Sequence, residues 1–318
     1  MKHFTVPEDG GLITKNLPKD ILHGYDKIFT EVYADSTEGS RVLADELIAE
    51  IKAFTAASPG KLYRLGLTTG STPVSLYKVL SRKFREGAVS FRQVEIFSID
   101  EYYPAAPEEL QSRNHRLHEA LLDKVDILKE NIHIPDGTVP QDQVSAYCTE
   151  FDKMARGLDL LVIGIGEQGQ VGFNEPGSNE KTRTRTVRLS YKTRKRQAPV
   201  FNHNISDTPQ SAITMGIGTM LTAGRIVLMA WGEEKAAAVK AIAEGEATSA
   251  VPASLLQQHD HIHFFVDETA GALLTRVVAP WLVGPCDWTP KFIRNAVVWL
   301  CQTVGKPILK LTEQDYLE

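Results

Sequence analysis

From residue 40 onwards the chain alternates short apolar runs with stretches whose apolar residues recur at helical spacing, and three of the runs end in polar clusters. The runs occupy residues 62–67, 94–99, 158–165, 211–215, 225–230 and 262–266. Runs this short and this apolar read as buried strands. Helical periodicity marks Val42, Leu43, Leu47, Ile48, Ile51 and Phe54. It marks Val74, Leu76, Tyr77 and Leu80 after Pro73, and residues 112–122, 233–244 and 268–278. Strands alternating with helices pair in parallel and take helices on their faces. The expected fold class is therefore α/β: three-layer, doubly wound, with a mostly parallel sheet. Residues 1–35 read as an N-terminal arm and 36–280 as one α/β domain. Residues 281–318 read as a tail that packs on or extends the domain; it carries Trp281, Trp288, Trp299 and an apolar helix at 291–301.

Composition removes several function classes. Apolar residues make up 42% of the 318 and charged residues 24%, which is ordinary for a globular chain and excludes collagen-like and disordered readings. With 35 basic against 40 acidic side chains the formal charge is −5, so there is no bulk attraction to nucleic acid or anionic membrane. The basic run 192–196 is a local exception. Cys148, Cys286 and Cys301 are far apart, which fits reduced thiols rather than a zinc site or a disulfide framework. The first residues lack the apolar centre of a secretory signal, and no apolar run approaches the ~20 residues of a membrane span. The expectation is a cytoplasmic chain with no nucleic-acid, membrane or metal partner.

Ligands of open parallel sheets bind beyond the carboxyl ends of the strands, and all three polar clusters fall there. The first is Thr69-Gly70-Ser71-Thr72-Pro73. Its hydroxyls, backbone N–H groups and the helix start at Pro73 converge on one point, which suits a phosphate; a plain helix cap is the alternative. No Gly-Lys-Ser/Thr follows, so it is not a P-loop. The second is Asp100-Glu101: a carboxylate at the mouth of a buried strand suits a general base, unless both acids merely cap the next segment. The third is residues 164–178, GIGEQGQVGFNEPGS. Its glycines match G-x-G-x-x-G, but no helix pattern and no distant acidic residue accompany them, so a dinucleotide site is not expected. The glycines instead let backbone approach a small ligand, and Glu175 is a candidate acid. Lys235, at the start of a helix after the run 225–230, can reach an anion in the cleft or lie on a solvated face. The histidines are scattered; the pair His261 and His263 lacks a third ligand.

Taken in order, LGLTTGSTPVSLYKVL, VEIFSIDEYY, LLVIGIGEQGQVGFNEPGS, the segment 212–245 and VPASLLQQH resemble the glucosamine-6-phosphate deaminase family, which shares its fold with 6-phosphogluconolactonases and sugar-phosphate-sensing regulators. The resemblance spans about residues 40–280. It implies that Thr69, Gly70, Ser71 and Thr72 hold a phosphate together with Lys235, and that Asp100 moves a proton between C1 and C2 of an open-chain amino sugar. Glu175 would complete the ring-opening relay. The implied reaction takes glucosamine 6-phosphate to fructose 6-phosphate and ammonia, without a cofactor, on a phosphorylated amino sugar, in an enzyme that forms homo-oligomers.

Two departures accompany the resemblance. The family's ring-opening Asp and His positions are Gln168 and Gln170 here, and glutamine hydrogen-bonds without exchanging protons. The family's phosphate-clamping arginine aligns with Pro199, leaving Arg194 or Arg196 to substitute. The reading is thus a deaminase/isomerase of a divergent subgroup. A catalytically weak sugar-phosphate-binding homologue is the alternative, and a lactonase ranks last. The tail resembles the region that precedes a deacetylase-like domain in longer bacterial proteins.

Overall fold

The structure is a computed structural model and describes residues 23–316. Seven parallel strands form the main sheet in the order β1-β10-β9-β6-β2-β3-β5. They are β1 (Phe29–Tyr33), β2 (Tyr63–Leu67), β3 (Val94–Ser98), β5 (Ile132–His133), β6 (Leu160–Gly164), β9 (Arg225–Ala230) and β10 (Ile262–Asp267). Three antiparallel strands form a second, smaller sheet: β4 (Asp100–Tyr103), β8 (Ser211–Thr214) and β7 (Arg185–Arg188), in the order β4-β8-β7. The α-helices longer than one turn are α1 (Ser36–Ala57), α2 (Val74–Arg85), α3 (Arg113–Ala120), α4 (Val144–Met154), α5 (Tyr191–Gln197), α6 (Ala236–Ala243) and, in the tail, α7 (Pro290–Val304).

The apolar runs became strands because both their faces are covered. In β6, Leu160, Leu161, Val162 and Ile163 are all fully buried, as expected of a middle layer between two others. Helix α1 starts where Asp35 accepts hydrogen bonds from the N–H groups of Thr37 and Glu38 at 2.7 and 2.9 Å. It buries Leu43, Leu47, Ile48 and Ile51 in one core with Leu65, Leu67, Leu76, Leu80 and Val162.

Three expectations are corrected. Residues 29–33 belong to β1, at the edge of the main sheet beside β10, rather than to an arm; residues 1–22 of that arm lie outside the described residues. An edge strand has one neighbour, so Phe29–Tyr33 lacks the fully buried pattern of the central strands. The run at 211–215 is not a parallel strand but the middle of the antiparallel sheet. The helix expected at 268–278 forms only at Thr275–Val278. Asp267 first accepts from Thr269 Oγ1 and the Ala270 N–H, an Asx turn that competes with helix.

The chain divides into two compact units, one of residues 27–271 and another that joins residues before 27 to those from Ala272 onwards. In the second, Arg276 bonds Asp26 at 2.6 Å and His23 at 2.9 Å. Its helix α7 is capped by Thr289 and ended by Gly305 at φ +66°, and Trp281 packs against Trp288, Phe292 and Trp299.

Candidate active site

Strand order reverses between β2 and β6. The chain leaves β2 towards β3 and leaves β6 towards β9, so the two following loops part and open a crevice. A cavity of about 330 Å³ occupies it, lined by residues 68–73, Asp100, Arg113, Arg116, the loop after β6, Glu175, Arg196 and Lys235.

The turn 69–72 forms one wall. Its Thr72 carbonyl accepts from Trp231 Nε1 at 2.9 Å, and the Thr68 carbonyl just before it accepts from the Tyr77 hydroxyl. The turn lies tight against the end of β6, where a Cβ on Gly164 would stand 3.1 Å from Thr72 Cβ. Thr69 Oγ1 is buried without a hydrogen-bond partner. A hydroxyl so placed, beside N–H groups at the start of α2, suits an anion.

Asp100 lies at the junction of the two sheets. Ile99 donates to Leu67 of β2 and accepts from Met215 after β8, which turns the chain from one sheet into the other. Asp100 is 2% exposed and its Oδ1 has no hydrogen-bond partner. Burial raises its proton affinity, and Arg113, whose Nε is 3.7 Å from Oδ1, partly offsets that. Gly172, at φ +56°, lets the loop after β6 pass close by: a Cβ there would meet Thr214 Oγ1 at 2.8 Å and Asp100 Oδ2 at 3.3 Å. Glu101 turns the other way. It accepts from the N–H groups of Tyr102, Arg113 and Asn114 at 2.7, 2.8 and 2.8 Å, so it caps α3. Of the two acids, one faces the cavity and the other holds the helix that carries Arg113.

The loop after β6 is stapled by Asn174, which donates to Val171 and Met215 carbonyls and accepts from Arg185. Glu175 lines the cavity while accepting from the N–H and hydroxyl of Ser190. Gln170 is buried on the cavity wall, and its Oε1 accepts from the Gln168 N–H at 3.0 Å. Gln168 itself faces a neighbouring groove with Lys192 and Lys195. Lys235 lines the cavity; burial and the nearby Arg196 make it give up its proton more easily than a free lysine.

The sequence model of the glucosamine-6-phosphate isomerase/6-phosphogluconolactonase family matches residues 34–264. The chain belongs to this family. It is 42% identical over 303 residues to a glucosamine-6-phosphate deaminase-like protein of Bacteroides thetaiotaomicron; the match covers 94% of the chain but 45% of that relative, so the chain spans under half of its length. It is 43% identical to glucosamine-6-phosphate deaminase 2 of Bacillus subtilis over 214 residues, 66% of the chain and 85% of the relative. A monomeric glucosamine-6-phosphate deaminase of known structure superposes with a TM-score of 0.72 at 30% identity, over 77% of this chain and all of the other. The 6-phosphogluconolactonase of Trypanosoma brucei shares the fold at 18% identity, with a TM-score of 0.62 over 77% of this chain and 98% of its own.

Most of the family site residues expected from sequence meet in the one cavity: Thr69, Gly70, Ser71, Thr72, Asp100, Gln170, Glu175 and Lys235. Arg194 does not. Its guanidinium donates to the carbonyls of Ile205 at 2.8 Å and Thr208 at 3.3 Å, so it braces the segment after α5, and Arg196 is the arginine of that run at the cavity. The reason is helical phase: residues two apart on α5 face different ways. Arg113 and Arg116 were missed. The available signal was an arginine on the same buried face of a short helix as Leu117, four residues on.

Proposed function

We propose that this site converts glucosamine 6-phosphate to fructose 6-phosphate and ammonia. The observation that carries the reading is a hydroxyl-rich turn at a helix start and a buried carboxylate, whose Oδ1 makes no hydrogen bond, facing one cavity at the strand reversal. Residues 69–72 and Lys235 take the phosphate. Asp100 takes the proton from C2 of the open-chain aldehyde and returns it to C1. The C2–H electron pair forms the C1–C2 double bond, and O1 is protonated from the neighbouring ammonium. Return of the proton to C1 leaves a C2 iminium, and water then releases ammonia and the ketose. Asp100's raised proton affinity brings this base closer to neutral pH, where general-base catalysis is most effective.

Glu175, oriented by Ser190, is the acid we assign to ring opening. Gln170 and Gln168 supply hydrogen bonds but no titrating group. Self-association and a cytoplasmic setting belong to the same proposal, and light scattering tests the first. Among the described residues no helix is long and apolar enough to cross a membrane.

The experiment is ammonia release from glucosamine 6-phosphate, with Asp100→Asn alongside. Release by the natural chain and its loss in the variant are expected. Undiminished release by Asp100→Asn removes Asp100 from the mechanism. No release by the natural chain, with the sugar phosphate still raising Tm, makes it a binding homologue instead.

A further inference from the structure

Arg113 has a setting that the fold does not account for. Its side chain is 6% exposed, and its guanidinium lies over the rings of Tyr102 and Phe173, at 4.8 and 5.1 Å from their centroids. Among the described residues it makes no side-chain hydrogen bond, and its Nε is buried without a partner. A guanidinium carries five donors, and leaving buried donors unmet is costly. The two neighbouring rings, whose centroids are 5.5 Å apart, stabilise the charge but offer the N–H groups no oxygen acceptor. Asp100 Oδ1, also unpartnered, stands 3.7 Å from Nε, beyond a hydrogen bond. Both residues line the cavity. The fold thus holds a cation beside the base with donors still to be used.

We propose that Arg113 is a catalytic residue that donates hydrogen bonds to the substrate oxygen on which negative charge builds as Asp100 removes the adjoining proton. This rests on the isomerase–deaminase reading above. In that reaction the oxygen is O1: when the C2–H pair becomes the C1–C2 double bond, the carbonyl π pair moves onto O1. Arginine does not give up its own proton at neutral pH. It therefore stabilises O1 by hydrogen bonding until the ammonium on C2 protonates it. A fixed donor in a site screened from water acts on the transition state more than on the bound sugar. Glu101 serves the same end indirectly: by capping α3 it sets where Arg113 begins.

The test compares Arg113→Met and Arg113→Lys with the natural chain. Ammonia release is followed over pH, and binding of the reduced analogue 2-amino-2-deoxyglucitol 6-phosphate, which has no carbonyl, by calorimetry. Removal of one oxyanion donor lowers kcat by about 10²–10³-fold, so Arg113→Met falls in that range, with KM nearly unchanged and Arg113→Lys in between. The acid limb of its pH profile moves to higher pH, because Asp100 has lost the neighbouring cation. The analogue binds both chains alike. If Arg113→Met keeps its kcat, or loses analogue binding in step with activity, Arg113 only shapes the cavity and the proposal falls. Should Arg113→Met not fold, Arg113→Lys decides by the same readouts. An inactive natural chain would instead overturn the underlying reading of the reaction.

Discussion

The two walls of the cavity are built on opposite plans. The anion wall, residues 69–72 with Lys235 and Arg196, relies on backbone N–H groups and on cations that reach solvent; the Arg196 side chain is 37% exposed. The floor relies on Asp100 and Arg113, whose side chains are 4% and 6% exposed, packed against Gly172 and against Tyr102 and Phe173 respectively. Exposed charges are screened and individually replaceable, whereas buried ones interact strongly and cannot be spared. The wall is thus suited to holding a substrate and the floor to changing it.

Five substitutions test this contrast, beyond Arg113. Asp100→Asn has the largest expected effect: kcat falls by about 10²–10⁴-fold, while the Tm rise given by the sugar phosphate survives. Loss of that Tm rise would mean that floor and wall are not separable. Lys235→Ala acts in the other direction. One charge-assisted hydrogen bond is worth about 1.5–3 kcal/mol, so KM rises by about 10–100-fold with kcat little changed. A fall in kcat at constant KM would move Lys235 to the floor.

Arg194 and Arg196 sharpen the comparison within one helix. Arg194→Ala should lower stability by about 1–3 kcal/mol, because it frees two carbonyls, and leave KM alone. Arg196→Ala should raise KM a few-fold and leave the denaturation midpoint alone. The reverse outcome would restore Arg194 to the site.

The smallest effect concerns Glu101. Burial raises its carboxyl to about 7 from an ordinary 4.5, against the opposing hydrogen bonds from three backbone N–H groups. The folded chain therefore holds this proton over a range in which the unfolded chain has lost it. The contribution is fully present below pH 4.5 and is lost as the pH rises towards 7. Stability should fall across that interval, less steeply in Glu101→Gln, as urea midpoints at pH 5 and pH 7 would show. Equal slopes would remove Glu101 from the titration.

Much of this was legible in the chain. Buried strands announce themselves by unbroken apolar runs, and strand ends by the polar residues that follow, so the turn 69–72, Asp100 and Lys235 could be found from sequence as residues of one cavity. Strand β1 could not, because Phe29–Tyr33 at a sheet edge needs little apolar character. Nor could the antiparallel pairing of β8, since four residues do not reveal their neighbours' direction. Arg194 and Arg196 could not be told apart, because a basic run gives composition without phase. Arg113 escaped because its value lies in what surrounds it, Tyr102 and Phe173, which are 11 and 60 residues away in the numbering.

Asp100 and Glu101 are consecutive on β4, and pleating sends their side chains to opposite sides, one to the cavity and one to the start of α3. Base and helix cap are therefore assigned by parity. A single residue inserted or deleted between β3 and β4, shifting the pairing of Asp100 with Thr214 by one, would exchange the two acids. The base would then lie under a helix and the cap would face the substrate, with no residue type altered. In this region a family member's chemistry depends on the spacing of the chain as much as on its residues.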